Sequence, residues 1–249
     1  MIRPLIMLLL AGTLLAQPDP QTAPPVQMPP PPSEPLTLER RGDIYMARKM
    51  YREAMDVYKQ APQNAVILNK LGIAYHQLME LDTAKKYYER ALKLNSKYAE
   101  AVNNIGTIHY ARRSYRRAVG QYKKALKFSP NSASIYSNLG TAYFARKKYK
   151  DASVAYAKAL EIDPDVFEHR STYGTMLQER SVEERAKFHY YLAKLYAKSG
   201  MTERALQYIR KALEEGFKER KKFVEEPEFA ALQELPEFKE LLALQPRVL

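Results

Sequence analysis

The stretch from Ala99 to Pro130 reads AEAVNNIGTIHYARRSYRRAVGQYKKALKFSP. Gly106 has counterparts 34 residues away on either side, at Gly72 and Gly140. Ala118 is matched by Ala84 and Ala152, Tyr122 by Tyr88 and Tyr156, and Ala125 by Ala91 and Ala159. Pro130 and Pro164 close two of the units. A fixed period of this length, with Gly, Ala, Tyr and Pro at fixed offsets, specifies stacked helix–turn–helix units. The first helix of each unit (A) carries the Gly, and the second (B) carries Ala-x-x-x-Tyr-x-x-Ala. Counting from Ala65, Ala99 and Ala133 as position 1, the Gly is at position 8, the first Ala at 20 and the Tyr at 24. Small residues at 8 and 20 are expected to face each other where the helices cross, with Tyr at 24 filling the wider gap toward the next unit. One pair buries only part of its apolar surface, so neighbours must stack.

This pattern resembles the tetratricopeptide repeat family over about residues 36–215. The resemblance implies an all-α, right-handed helical solenoid of about five helix–turn–helix repeats with a C-terminal helical cap. It further implies a concave groove lined by the A helices and a non-catalytic protein–protein interaction scaffold with a protein or peptide partner. It implies no cofactor and no small-molecule substrate. Trp is absent from the chain, so Leu68, Val102 and Tyr136 take the family's usual large residue at position 4.

Around the repeats, the organisation follows from composition. Residues 1–16 read as a signal peptide, with Arg3 ahead of an apolar run from Leu5 to Leu15 that is too short for a comfortable membrane span. Cleavage is expected after Ala16. The expected location is therefore exported, periplasmic or extracellular, the alternative being a protein tethered by its uncleaved N-terminal segment. Residues 17–35 hold 9 of the 16 prolines and read as an extended tether. Repeats one to four occupy 36–164, the first shortened after Ala61. Residues 165–180 break the period and read as an insertion. With Val166, Phe167, Tyr173, Met176 and Leu177 it carries enough apolar side chains to pack, into the groove or against a partner. Repeat five is expected at 181–216, its first helix started by Ser181 three before Glu184 and stopped at Gly200, its second stopped at Gly216. Residues 217–249 form the cap, with Phe223, Phe229, Leu232, Leu235, Phe238 and Leu241 as the expected buried set.

Chemistry-bearing constellations are missing. The chain has no Cys, which excludes thiolate catalysis, a lipid-modified cysteine and Cys-based metal sites. His76, His109, His169 and His189 do not fall at metal-ligand spacings, and no Gly-rich phosphate loop is present. The net charge is +12. Residues 36–164 hold 24 Lys and Arg against 11 Asp and Glu, whereas 181–249 hold 13 against 12. A balance this basic bears on anionic partners and not on fold.

Two sets of residues are candidates for binding. On the family's geometry the groove is lined by Asn69, Lys70, Ile73 and His76 in repeat two, by Asn103, Asn104, Thr107 and Tyr110 in repeat three, and by Asn138, Thr141 and Phe144 in repeat four. An Asn side chain both donates and accepts, so a row of them can pair with the amides of an extended peptide. Some members of the family hold extended polypeptide in this way, which implies as an alternative a chaperone-like assembly factor for an envelope or secretion complex. A family subtype that clamps a C-terminal carboxylate with Lys, Asn and Arg is not matched, since Glu39, Ser134 and Asn138 stand at those places. The second set is a basic ridge at the A–B turns: Arg48, Lys49, Arg112, Arg113, Arg116, Arg117, Arg146, Lys147, Lys148 and Lys198. It suits an acidic protein or an anionic envelope polymer; export argues against nucleic acid.

Overall fold

Asn64, Ser132 and Ser181 each precede an apolar-periodic run, and each caps a helix with its side chain. Asn64 Oδ1 accepts from the Ile67 N–H at 2.9 Å and Ser181 Oγ from the Glu184 N–H at 3.2 Å. Ser132 Oγ accepts from Ile135 at 3.4 Å. These bonds satisfy first-turn donors that have no partner inside a helix. The computed structural model describes residues 36–168 and 181–243, which contain helices and turns and no strand. Five antiparallel helical hairpins follow one another: α1 (Leu38–Ala47) with α2 (Tyr51–Gln60), α3 (Ala65–Gln77) with α4 (Leu81–Leu94), α5 (Ala99–Ala111) with α6 (Tyr115–Phe128), α7 (Ala133–Ala145) with α8 (Tyr149–Ile162), and α9 (Val182–Lys198) with α10 (Thr202–Glu214). The B helix of one hairpin packs on the A helix of the next, making a helical solenoid. Helix α2 has 10 residues where α4 has 14, because Pro62 forces Ala61 into an extended conformation (ψ 153°).

The hairpin crossing corrects one expectation. The atoms nearest each A-helix glycine are ring carbons of the tyrosine at position 24, not the alanine at 20. A Cβ on Gly72, Gly106 or Gly140 would lie 2.4–2.5 Å from Tyr88, Tyr122 or Tyr156, and on Gly42 2.2 Å from Tyr58. Glycine is required there because ring carbons of the tyrosine occupy the space a Cβ would need. Those four tyrosines are among the largest fully buried side chains, and Ala84, Ala118 and Ala152 are buried beside them. In repeat five the same two places hold Ala193 and Ile209, both 0% exposed. Where the ring is absent, the methyl group is accommodated.

All five A helices end alike. The N–H of Lys49 bonds to Met46 O and that of Met50 to Tyr45 O. The same pair of bonds recurs at Met79 and Glu80, Arg113 and Ser114, Lys147 and Lys148, and Gly200 and Met201. This double closure places the residue after the C-cap in the left-handed region. Lys49, Met79, Arg113 and Lys147 have φ of 60°, 63°, 55° and 59°, and Gly200 has 71°. An L-residue there costs about 1–2 kcal/mol relative to its ordinary helical conformation.

The C-terminal end is closed by α11 (Lys222–Glu225), a 3₁₀ turn over Pro227–Leu232 and α12 (Pro236–Ala243). Phe223, Phe229, Leu232, Phe238 and Leu241 are buried, Leu235 is half-buried, and Phe217 joins them, stacked on Tyr190 at 4.5 Å. Lys194 holds this cap from α9 by ion pairs to Glu226 (2.9 Å) and Glu228 (3.3 Å), and the Tyr190 hydroxyl donates to Glu226.

The start of the insertion packs, but into neither the groove nor an open face. Val166 is buried, and the Phe167 ring lies edge-on to Tyr156 at 5.4 Å and to Tyr196 at 6.5 Å, between repeats four and five. Arg204 bonds to Pro164 O and Asp165, and Tyr208 donates to Glu168 at 3.1 Å. Tyr173 and the remainder of the insertion, residues 1–35 and residues 244–249 lie outside the described residues.

One ion cluster ties the two helices of repeat five together. Glu215 accepts from Arg185 Nε at 3.0 Å and lies 2.7 Å from His189 Nδ1. Burial pushes the Glu215 carboxyl up, but hydrogen bonds and charges from His189 and Arg185 outweigh it and hold the group below its ordinary value. A carboxyl depressed in the folded state stabilises above its unfolded pKa, and this contribution is lost as pH falls through the folded value. Melting curves taken from neutral to acid pH should therefore show a loss of stability below the ordinary glutamate range that is smaller in Glu215→Gln.

Candidate functional site: the A-helix face and the turn edge

The A helices carry a chain of amides. Asn138 Nδ2 donates to Asn103 Oδ1 at 3.0 Å, Asn103 Nδ2 to Asn104 Oδ1 at 3.3 Å, and Asn104 Nδ2 to Asn69 Oδ1 at 2.9 Å. The side chains of three repeats are thereby aligned head to tail, with Asn69 5% and Asn138 7% exposed and Asn103 and Asn104 half-buried. An Asn amide has two N–H donors and an oxygen with two lone pairs. Asn103 and Asn104 each spend one donor and one lone pair within the chain, which leaves one of each.

The other groove candidates fall in different surroundings. Lys70 Nζ bonds Glu39 at 2.8 Å and Asp43 at 2.7 Å, and Asp43 also accepts from the Tyr58 hydroxyl at 2.7 Å. Burial pushes the Lys70 ammonium down, but these two carboxylates outweigh it and raise it above its ordinary value. Lys70 is thus a bridge between the A helices of repeats one and two. Thr141 is 2% exposed, donates to Ser137 O at 3.0 Å and accepts from the Tyr156 hydroxyl at 3.1 Å. Thr107 is buried and donates to Asn104 O. Tyr110 and Phe144 are buried, Tyr110 against Tyr115 and Phe144 against Tyr149, Phe188 and Tyr191. These four were expected to line the groove, and they are packing residues. At position 12, Tyr110 and Phe144 pack on the first B-helix residue of their own hairpin, and Phe144 also on the next A helix, while at position 9 Thr107 and Thr141 turn back to carbonyls of their own helix. Ile73 and His76 are half-buried, and burial holds the His76 imidazole below its ordinary value.

The ridge residues lie where the turn spacing puts them. Arg48, Lys49, Arg112, Arg113, Arg116, Arg117, Lys147, Lys148 and Lys198 are exposed and Arg146 is half-exposed. Arg112 pairs with Asp82 of the preceding repeat at 2.7 Å, which sets neighbouring turns side by side. Lys148 pairs with Asp151 at 3.9 Å. The sequence reading missed three parts of these surfaces: the Glu39–Asp43 lock on Lys70, the left-handed turn residues, and the exposed Met50 and Met79. No glycine marks the turns at Lys49, Met79, Arg113 and Lys147, so the sequence carried no signal for their left-handed backbone.

Among the described residues, no group of His, Cys, Asp and Glu could hold a metal ion, and no helix is long and apolar enough to cross a membrane.

Models of the tetratricopeptide repeat match residues 36–97, 133–166 and 186–215, and a TPR repeat model matches 108–145. Together they span more than half of the chain. No curated protein matches it. Solved structures to which it is similar include YrrB, a TPR protein with an unusual peptide-binding site, at 25% identity and a TM-score of 0.44, covering 52% of this chain and 69% of that one. Two structures of MamA are also similar. One is 24% identical with a TM-score of 0.44, covering 53% of this chain and 75% of that one. The other is 22% identical with a TM-score of 0.46, covering 70% and 93%. A chain whose hairpins recur every 34 residues, and which four models of one repeat match along its length, belongs to the tetratricopeptide repeat family and so is a protein-interaction scaffold.

Proposed function

We propose that this protein is an exported, non-catalytic scaffold whose A-helix face holds an extended segment of a protein partner. The chain of four asparagines carries the reading. Its internal bonds fix the amides in one orientation, so little side-chain entropy remains to be lost on binding. The donor and the lone pair left on each central amide match what a peptide backbone presents at every residue, independent of its side chains. The three cations and three carboxylates of α1, α3, α5 and α7 cancel, so the face favours neutral peptide over highly charged ligands. The apolar segment at residues 5–15 supports export.

The test is a peptide array probed with the protein and with Asn103→Ala. The variant breaks two links of the chain and should weaken capture about tenfold across peptides of unrelated sequence, at unchanged helical content. Capture by Asn103→Ala equal to that of the parent would overturn the groove reading. Intact mass of protein recovered from outside the cytoplasm should show a chain beginning at Gln17. Retention of residues 1–16 would make it an anchored scaffold.

A further inference from the structure

The excess charge of residues 36–164 lies outside the A helices, in the A–B turns and in the B helices α4 and α6. The A helices of repeats one to four are neutral in sum. Their A–B turns, 48–50, 78–80, 112–114 and 146–148, carry seven Lys and Arg and one acid, Glu80. Asn69 bonds to Asn104 and Asn103 to Asn138, the same step from position 5 of one A helix to position 6 of the next, and Lys70 bonds Glu39 and Asp43 of the first A helix, so the turns follow one another along a single edge. Among the described residues Arg48, Lys49, Arg113, Arg146 and Lys147 form none of the ion pairs that occupy Arg112 and Lys148.

The tips of this edge are the left-handed residues. Glycine suits that conformation best, and repeat five, in the half of the chain with balanced charge, has Gly200. Repeats one to four have Lys49, Met79, Arg113 and Lys147 instead. Four long side chains stand where the backbone favours none, and all four are exposed. Met79 is 63% exposed and Met50 36%. A soluble polyanion or an acidic peptide would satisfy the cations and leave both thioethers in water. A bilayer surface satisfies both, taking apolar tips at the headgroup–acyl boundary while long basic side chains reach the phosphates.

We infer that the A–B turn edge of repeats one to four docks on the headgroups of an anionic lipid bilayer, leaving the asparagine face free for a protein segment. The inference does not depend on the peptide reading.

The experiment uses residues 37–249, which form a compact unit of their own containing every core cluster, so that the N-terminal apolar segment does not contribute. Binding is measured by sedimentation with vesicles of phosphatidylcholine alone and of phosphatidylcholine with phosphatidylglycerol. The protein should bind only the anionic vesicles, and less as salt rises. Each cation near such a surface contributes about fivefold, so the triple variant Lys49→Gly, Arg113→Gly, Lys147→Gly should bind on the order of 100-fold more weakly. Its melting temperature should be unchanged or higher, because glycine relieves the left-handed backbone, and this separates lost binding from lost fold. Met79→Gly should weaken binding without altering its salt dependence. The inference is overturned if the triple variant binds like the parent, if neither vesicle binds, or if soluble polyphosphate is bound and anionic vesicles are not.

Discussion

Gly106→Ala lowers the melting temperature of the repeat array, although alanine is the better helix former. The intrinsic gain in the helix is about 1 kcal/mol. Against it, the new Cβ would sit 2.5 Å from one ring carbon of Tyr122 and 2.8 Å from the next. The ring is fully buried and cannot move away without displacing Ala118 and Ala125, both 0% exposed. Overpacking of a filled core costs about 1–3 kcal/mol and more where nothing yields. A net loss of about 2 kcal/mol is expected, which for a unit of this size lowers the melting temperature by roughly 4–8 °C. Repeat five shows the compensation, with Ala193 opposite Ile209. Adding Tyr122→Ile to Gly106→Ala should therefore cost less than the two single changes summed, by about 1 kcal/mol or more. Strict additivity would mean that the glycine is not there to admit the ring.

Phe229→Ala detaches the C-terminal cap. Phe229 is 0% exposed, 5.2 Å from the Phe223 ring and 6.2 Å from Tyr190. Truncating a buried Phe costs about 3–5 kcal/mol. The 3₁₀ turn that carries it has only six residues and no independent stability. The ion pairs of Lys194 to Glu226 and Glu228 are partly exposed and add little by themselves. Without the cap, Tyr190 and Phe217 become an open apolar end, and the loss should spread inward through repeat five. Hydrogen exchange should show α9 and α10 losing protection while α3 to α6 keep theirs, and the variant should self-associate at high concentration. Unchanged protection of α10 would show that the last hairpin stands without its cap.

The repeat itself was legible because each of its marks is a local demand repeated several times. Gly106 with Tyr122, Ala118 and Ala125 states a crossing, and the 34-residue spacing states that the crossing recurs. The helix stops at Gly200 and Gly216, with φ of 71° and 79°, were legible for the same reason, since glycine marks the left-handed stop. The stops at Lys49, Met79, Arg113 and Lys147 were not, because there the double closure of the backbone overrides residue preference.

What fills which gap is a different kind of question, and the sequence alone left it open. Periodicity put Gly72, Gly106 and Gly140 on an inner face but did not say that a tyrosine ring sixteen residues on, rather than an alanine, covers them. It put Lys70 in the groove but did not show Glu39 and Asp43 of the preceding repeat closing on it. It put Asn69 and Asn103, and Asn104 and Asn138, one repeat apart, while their joining into one chain depends on how far successive A helices are displaced in space. Spacing along the chain fixes the face on which a side chain starts. Which neighbour it meets depends on the separation and tilt of elements brought together by packing, and that only the tertiary structure decided.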